Sequence, residues 1–135
     1  MSLQFSVAVG NARLDAVEAT IGTSAVLKIR TGAPPANCAT ADSGTVLATM
    51  SLPSDWMSNA SSRSKALAGT WQDAGADAAG TAAHFRIYAS DGTTCGLQGT
   101  VTATGGGGDM TLDNAVIASA QQVNVTSFTL TDGNA

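Results

Sequence analysis

Charge, aromatic rings and histidine are all scarce in this chain, and each scarcity closes off a class of function. Only 12% of its 135 residues are charged and 4% are aromatic. Six Lys and Arg stand against ten Asp and Glu, a formal net charge of −4. That balance lacks the basic footprint that a phosphate backbone selects for. Lys28 and Arg30 share one strand face, and Arg63 and Lys65 share one loop, but two pairs do not make a patch. No apolar stretch approaches the roughly 18 residues of a membrane span. No basic segment followed by an apolar run opens the sequence, so no secretory leader is expected. Neither a nucleic acid nor a membrane is an expected partner.

Reactive side chains are equally few. One histidine, His84, and two distant cysteines, Cys38 and Cys95, do not make a zinc site. A catalytic cysteine needs a base and a third group to orient that base. His84 is the only candidate base, and nothing in the sequence supplies the third group. Asp73 and Asp77 read as turn formers, because calcium requires more oxygen ligands at tighter spacing. The run Gly105-Gly-Gly-Gly108 lacks the Lys-Ser/Thr and following helix of a phosphate loop. It reads instead as a loose connection or hairpin tip. The expectation is a protein with no catalytic residues, no metal and no cofactor. Cys38 and Cys95 both lie beside turn-forming residues. They read either as two reduced, half-buried thiols or as a disulfide across facing loops or strands.

What the chain does have is short strands rich in Thr, Val, Ala and Gly, separated by turn signals. Before them, Val7, Leu14, Val17 and Ile21 fall on helical spacing, with Gly22 as a stop. This predicts one amphipathic helix near residues 9–21. Its stripe of Leu14, Val17 and Ile21 needs either the β domain or a neighbouring subunit to cover it. Ala25 to Thr31 alternates, with Leu27 and Ile29 on one face and Val26, Lys28 and Arg30 on the other. Thr45 to Leu52 and Ala66 to Gln72 read as further strands, the latter with Leu67 and Trp71 on one face. Thr81 to Val101 reads as a hairpin around Asp91-Gly92, a pair suited to a type I′ turn. In the last strand, Gln122 to Thr131, parity switches between Val123/Val125 and Phe128/Leu130, which predicts a β-bulge near Thr126-Ser127. The whole reads as a single domain over residues 1–135. A helical segment (1–22) precedes an antiparallel β-sandwich (23–135), jelly-roll-like or immunoglobulin-like.

Candidate contact residues follow from these faces. Alternation puts His84, Arg86 and Tyr88 together on one face of the hairpin, opposite Phe85 and Ile87. They read as an ordinary outer face or as a polar-aromatic binding patch. Trp56, in a polar loop, reads as a core plug or as an exposed anchor for a partner. Low charge also leaves neutral surface of the kind an assembly subunit hides, which favours a homo-oligomer.

Five segments carry a family resemblance: Leu14-Asp-Ala-Val-Glu-Ala-Thr-Ile-Gly22, Lys28-Ile-Arg-Thr-Gly-Ala-Pro-Pro-Ala-Asn-Cys38, Leu52-Pro-Ser-Asp-Trp-Met57, His84-Phe-Arg-Ile-Tyr88 and Phe128-Thr-Leu-Thr-Asp-Gly-Asn-Ala135. Through them nearly the whole chain resembles a family of small structural proteins of tailed bacteriophages and prophages. The resemblance implies a virion component assembled in the host bacterial cytoplasm: a capsid decoration or cement protein, a head fibre or collar subunit, or an accessory tail protein. Its partners would be other phage structural proteins of capsid, neck or tail. It carries over no catalytic residues. The alternative expectation is a receptor- or carbohydrate-binding module of a tail or fibre, with Trp56, Trp71, Tyr88 and His84 as an aromatic platform.

Overall fold

A computed structural model describes residues 3–133. The chain is mainly β, with one helix at its N-terminal end, as the sequence predicts. Helix α1 spans Val7–Ile21. It starts earlier than the apolar spacing suggests because the Ser6 hydroxyl accepts from the Val9 N–H, capping the first turn. Gly22 ends it in a left-handed conformation (φ 96°), its N–H returning to Glu18 O.

Among the described residues ten strands follow: β1 (Val26–Arg30), β2 (Val46–Ser51), β3 (Ser64–Ala66), β4 (Gln72–Asp73), β5 (Gly80–Thr81), β6 (His84–Tyr88), β7 (Cys95–Ala103), β8 (Met110–Leu112), β9 (Val116–Ile117) and β10 (Val123–Thr131). The main sheet is curled and runs β2-β1-β6-β7-β8-β10-β3, with β4 also pairing to β10. Strands β5 and β9 form a separate two-stranded ribbon. The expected bulge in β10 is present: pairing with β8 shifts between Val125 and Ser127, leaving Thr126 as the extra residue.

Three local expectations need correction. The strand predicted over 66–72 is split into β3 and β4, because Gly69 adopts φ 71° and breaks the extended run. The hairpin turn is not type I′. Only Gly92 of the Asp91-Gly92 pair has positive φ, and Gly92 N donates to Ala89 O across a four-residue turn. The Asp91 carboxylate then accepts from Thr93 N, Thr94 N and Thr94 Oγ1. These bonds, the Thr94 hydroxyl first, hold its carboxyl down at about 2.

The third correction concerns the glycine run. Pairing is antiparallel throughout the described residues except between β7 and β8, which are parallel from Val101↔Met110 to Ala103↔Leu112. Parallel neighbours ordinarily need a dozen or more connecting residues, whereas here only residues 104–109 intervene. Gly105–Gly108 make this possible by folding back tightly on β7. Gly108 N donates to Thr102 Oγ1 at 3.0 Å. A Cβ on Gly106 or Gly108 would lie 2.7 or 2.8 Å from Thr102 atoms. The run is thus a close-packed return, not a loose tip.

The core lies inside the curl, built from Leu27, Ile29, Leu47, Met50, Ile87 and Leu112 around a row of rings. Trp56, Trp71, Phe128 and Phe85 follow one another with centroid separations of 5.9, 5.6 and 5.4 Å. Each indole N–H is satisfied inside the fold, Trp56 on Gly22 O and Trp71 on Ala68 O. Burying such rings with their N–H groups paired is the arrangement that costs least.

Candidate functional site

The outer face of β1, β6 and β7 carries the densest polar chemistry in the molecule. Register places Val26 beside Tyr88, Lys28 beside Arg86 and Arg30 beside His84, with Gln98 of β7 beside Arg86. Alternation therefore brings His84, Arg86 and Tyr88 onto one face as the sequence predicts. That face is not open. Residues 32–44, the connection from β1 to β2, fold across it and bury all three side chains. A contact patch for an outside partner is thus corrected to the seat of the protein's own loop.

Asp42 is the centre of this seat. Its carboxylate accepts from Arg86 Nη1 at 2.7 Å, Arg30 Nη2 at 3.0 Å and Tyr88 Oη at 2.7 Å. Arg30 also donates to Tyr88 Oη at 3.3 Å. Partial burial opposes the charged form of Asp42. The Tyr88 bond and the two guanidinium charges outweigh it and hold the carboxyl below its ordinary range. Burial, then the bond to Asp42, pushes the Tyr88 hydroxyl up. Arg86 reaches further into the loop, donating from Nη2 to Asn37 O at 3.0 Å and Thr40 O at 2.9 Å. Its Nε donates to Gln98 Oε1, and Gln98 in turn donates to Pro35 O. Lys28 sits over the Tyr88 ring at 5.1 Å and donates to Gly92 O.

His84 closes one end of the seat. Its Nδ1 lies 2.7 Å from Gly32 O. A carbonyl only accepts, so Nδ1 is the donor in this bond. Among the described residues, neither the buried Nε2 nor the buried Arg30 Nε has a hydrogen-bond partner. Cys38 and Cys95 meet at the other end, with 2.8 Å between sulfurs and no bond formed. Tyr88, not His84, pairs with Cys95. His84 lies four residues further along β6, about 13 Å at the strand rise. The geometry thus joins the two cysteines and separates them from the one histidine.

The second constructed region is the seat of α1. Of the expected apolar stripe, Leu14 is buried against the protein's own sheet, while Val17 and Ile21 are half-buried. The helix is held chiefly by a polar row that apolar spacing does not reveal. Asn11 Oδ1 accepts from Arg63 N, Asp15 Oδ1 from Ala60 N and Glu18 Oε2 from Met57 N. Positions 11, 15 and 18 are one helix face, and Gly22 O, receiving Trp56 Nε1, continues it. Beneath this face lies buried Lys65, whose ammonium donates to Asp15 at 2.8 Å, to Glu18 at 3.0 Å and to Ser58 O at 2.9 Å. Burial opposes its charge, but the two carboxylates raise its pKa overall. All three of its donors are used, so it is not a free nucleophile.

Trp56, read from sequence as either plug or anchor, is the plug: it is fully buried, and Trp71 almost so. Of the aromatic platform expected of a carbohydrate-binding module, both tryptophans therefore lie inside the core and Tyr88 and His84 lie buried under the loop of residues 32–44, which removes its main support. Ile21 packs on Gly96, the bulge residue of β7, where a Cβ would come within 2.5 Å of Ile21 Cγ1. Beside this crossing is an apolar groove of about 460 Å³, lined by Ala16, Val17, Ile21, Ala89 and Gly96 among others. Among the described residues, the large apolar side chains left open to solvent are Leu3, 76% exposed, Val7 at 53% and Val9 at 43%, all at the start of the helical segment, and Val116 at 66%. Among the described residues no group of three or more His, Cys, Asp or Glu is placed to hold a metal ion. No helix of the described residues is long and apolar enough to cross a membrane.

In comparisons with known proteins, no family model matches the chain, and neither does a curated protein or a solved structure.

Proposed function

We propose that this chain is a bacteriophage virion structural subunit, a capsid decoration or cement protein or another head-neck accessory component. The observation that carries the reading is the division of the surface. His84, Arg86, Tyr88 and both tryptophans are taken up in holding the fold together. Leu3, ahead of α1, and Val7 and Val9 in its first turn are meanwhile exposed. Exposed apolar side chains gathered near one end of the chain are what a symmetric assembly covers with a neighbouring copy or with a capsid, neck or tail protein. The low charge of the chain and the family resemblance of its five segments point the same way.

Virions produced with and without this gene test the reading. The chain is expected in purified particles at a fixed copy number. Particles lacking it should lose their DNA at a lower temperature or in lower salt. Its absence from wild-type particles would overturn the proposal, and unchanged particle stability would overturn the cement role. A Val7→Asp/Val9→Asp double variant of the whole chain should fold normally by circular dichroism and fail to incorporate.

A further inference from the structure

We propose that Cys38 and Cys95 are a redox clasp: a disulfide between them closes the loop of residues 32–44 covalently onto β7. The inference concerns the isolated chain and does not rest on the virion reading. Its first ground is position. The two sulfurs lie 2.8 Å apart although 57 residues separate them in sequence. Neither is there by accident of a mobile tip. Asn37 Oδ1 accepts from Ala39 N, Thr40 N and Thr40 Oγ1, fixing the turn that carries Cys38. Arg86 Nη2 grips Asn37 O and Thr40 O on either side of that cysteine. Cys95 opens β7 opposite Tyr88, two residues from Arg86 along β6. The same guanidinium that holds the loop therefore also sets the thiol pair.

The second ground is access. Both cysteines are half-buried, not sealed, so a small reagent reaches them while a protein partner does not need to. The co-reactant is a low-molecular-weight disulfide. The Cys38 sulfur, losing its proton to solvent, attacks one sulfur of the reagent. The reagent's S–S bond breaks and one small thiolate leaves. Cys95 then gives its proton to solvent and attacks Cys38 Sγ, releasing the second small thiolate. Two protein thiols become one disulfide, and one small disulfide becomes two thiols. The two sulfurs, 2.8 Å apart, are within reach of one another for the second step. Burial, and then the contact with Cys38, pushes the Cys95 thiol up to about 12.

The clasp changes how the loop is held. Without it the loop depends on polar bonds centred on Asp42, whose side chain is 40% exposed. With it, opening the loop also requires breaking a covalent bond. Joined to the proposed function, this places closure after release from the reducing host cytoplasm, in an oxidising medium.

Purified full-length chain equilibrated with glutathione disulfide, then with a phosphine reductant, tests the proposal. Oxidation should lower the intact monomer mass by about 2 Da, the two hydrogens lost. It should abolish maleimide labelling and raise Tm by about 10 °C, and the reductant should reverse all three. Cys38→Ser should keep the reduced Tm in both media. Hydrogen exchange across residues 32–44 should slow on oxidation in the wild type alone. Two labelled thiols persisting at equilibrium, a stable glutathione adduct, or disulfide-linked dimers would each overturn the clasp. These readouts come from the purified chain, so a failure here is separable from failure to find the chain in virions.

Discussion

The two seats on this sheet, one for the loop of residues 32–44 and one for α1, are built on the same plan with opposite balance. In both, the strand supplies a buried cation and the covering element supplies the carboxylate. At the loop, Arg30 and Arg86 come from β1 and β6, and Asp42 comes from the loop. At the helix, Lys65 comes from β3, and Asp15 and Glu18 come from α1. The loop seat has two cations for one carboxylate, whereas the helix seat has two carboxylates for one cation. A buried charge is costly when its partner is removed. The loop therefore hangs on a single acidic residue, and the helix has a spare.

The largest effect is expected from breaking that single point. Asp42→Ala leaves both buried guanidinium groups without a carboxylate. A fully buried pair broken this way costs several kcal/mol, and partial exposure of Asp42 lowers the figure to about 3 kcal/mol. Denaturant unfolding measures it, and hydrogen exchange should show residues 32–44 opening first. A loss below about 1 kcal/mol would mean that the carbonyls of Asn37 and Thr40 hold Arg86 and the loop by themselves.

Next in size is the helix cation. Lys65→Met keeps most of the side-chain volume and removes the charge. Asp15 and Glu18 lose a partner but remain partly hydrated, and both still accept from backbone N–H groups, Ala60 and Met57. The expected cost is about 1–2 kcal/mol by denaturation. An effect larger than that of Asp42→Ala would reverse the ranking of the two seats.

Neither seat is visible to hydrophobic periodicity, and that explains where sequence and structure part. The helix, the alternation of β1 and β6 and the bulge at Thr126 all express themselves in apolar spacing, and all three are legible. The loop of residues 32–44 covers the sheet without a large apolar side chain, through Asp42 and through backbone oxygens of Pro35, Asn37 and Thr40. Alternation therefore assigns His84, Arg86 and Tyr88 to the correct face and is silent on what covers it. A signal did exist. Arg30, Arg86 and Tyr88 share parity on neighbouring strands, and so much hydrogen-bonding capacity on one face implies a polar cover. The same holds for α1, where Asn11, Asp15 and Glu18 recur at helical spacing on a face that composition alone reads as solvated. The parallel pairing of β7 and β8 was illegible for a different reason: side-chain alternation is the same in parallel and antiparallel strands. The register from Val101↔Met110 to Ala103↔Leu112 reveals it, and the close fit of Gly106 and Gly108 against Thr102 shows how so short a connection achieves it.

Acid should probe both seats at once and tell them apart by variant. Asp42 and Asp15 each have a folded-state pKa below the ordinary 3.8. A depressed carboxyl contributes stability that is fully present above the unfolded value and lost as pH falls through the folded one. Stability should therefore be flat above about pH 5 and decline below about pH 4. Asp42→Asn should start lower at neutral pH and decline less steeply, because one of the protons taken up on unfolding is gone. A variant with an unchanged acid slope would show that Asp42 contributes nothing through its charge.

The smallest effect, and the sharpest test of redundancy, is Glu18→Gln. The amide keeps an oxygen to accept from Met57 N–H, and Lys65 retains Asp15 and Ser58 O as partners. The substitution removes one of two charges facing one cation, where Asp42→Asn removes the only charge facing two. The expected cost is below about 1 kcal/mol, and α1 should stay docked by circular dichroism and by Trp56 fluorescence. Trp56 is a suitable reporter because its indole N–H is bonded to Gly22 O at the end of that helix. If Glu18→Gln costs as much as Asp42→Asn, the spare carboxylate is not spare. Lys65 would then need both anions, and the contrast between the two seats would lie in the element that covers each one and not in the balance of charge.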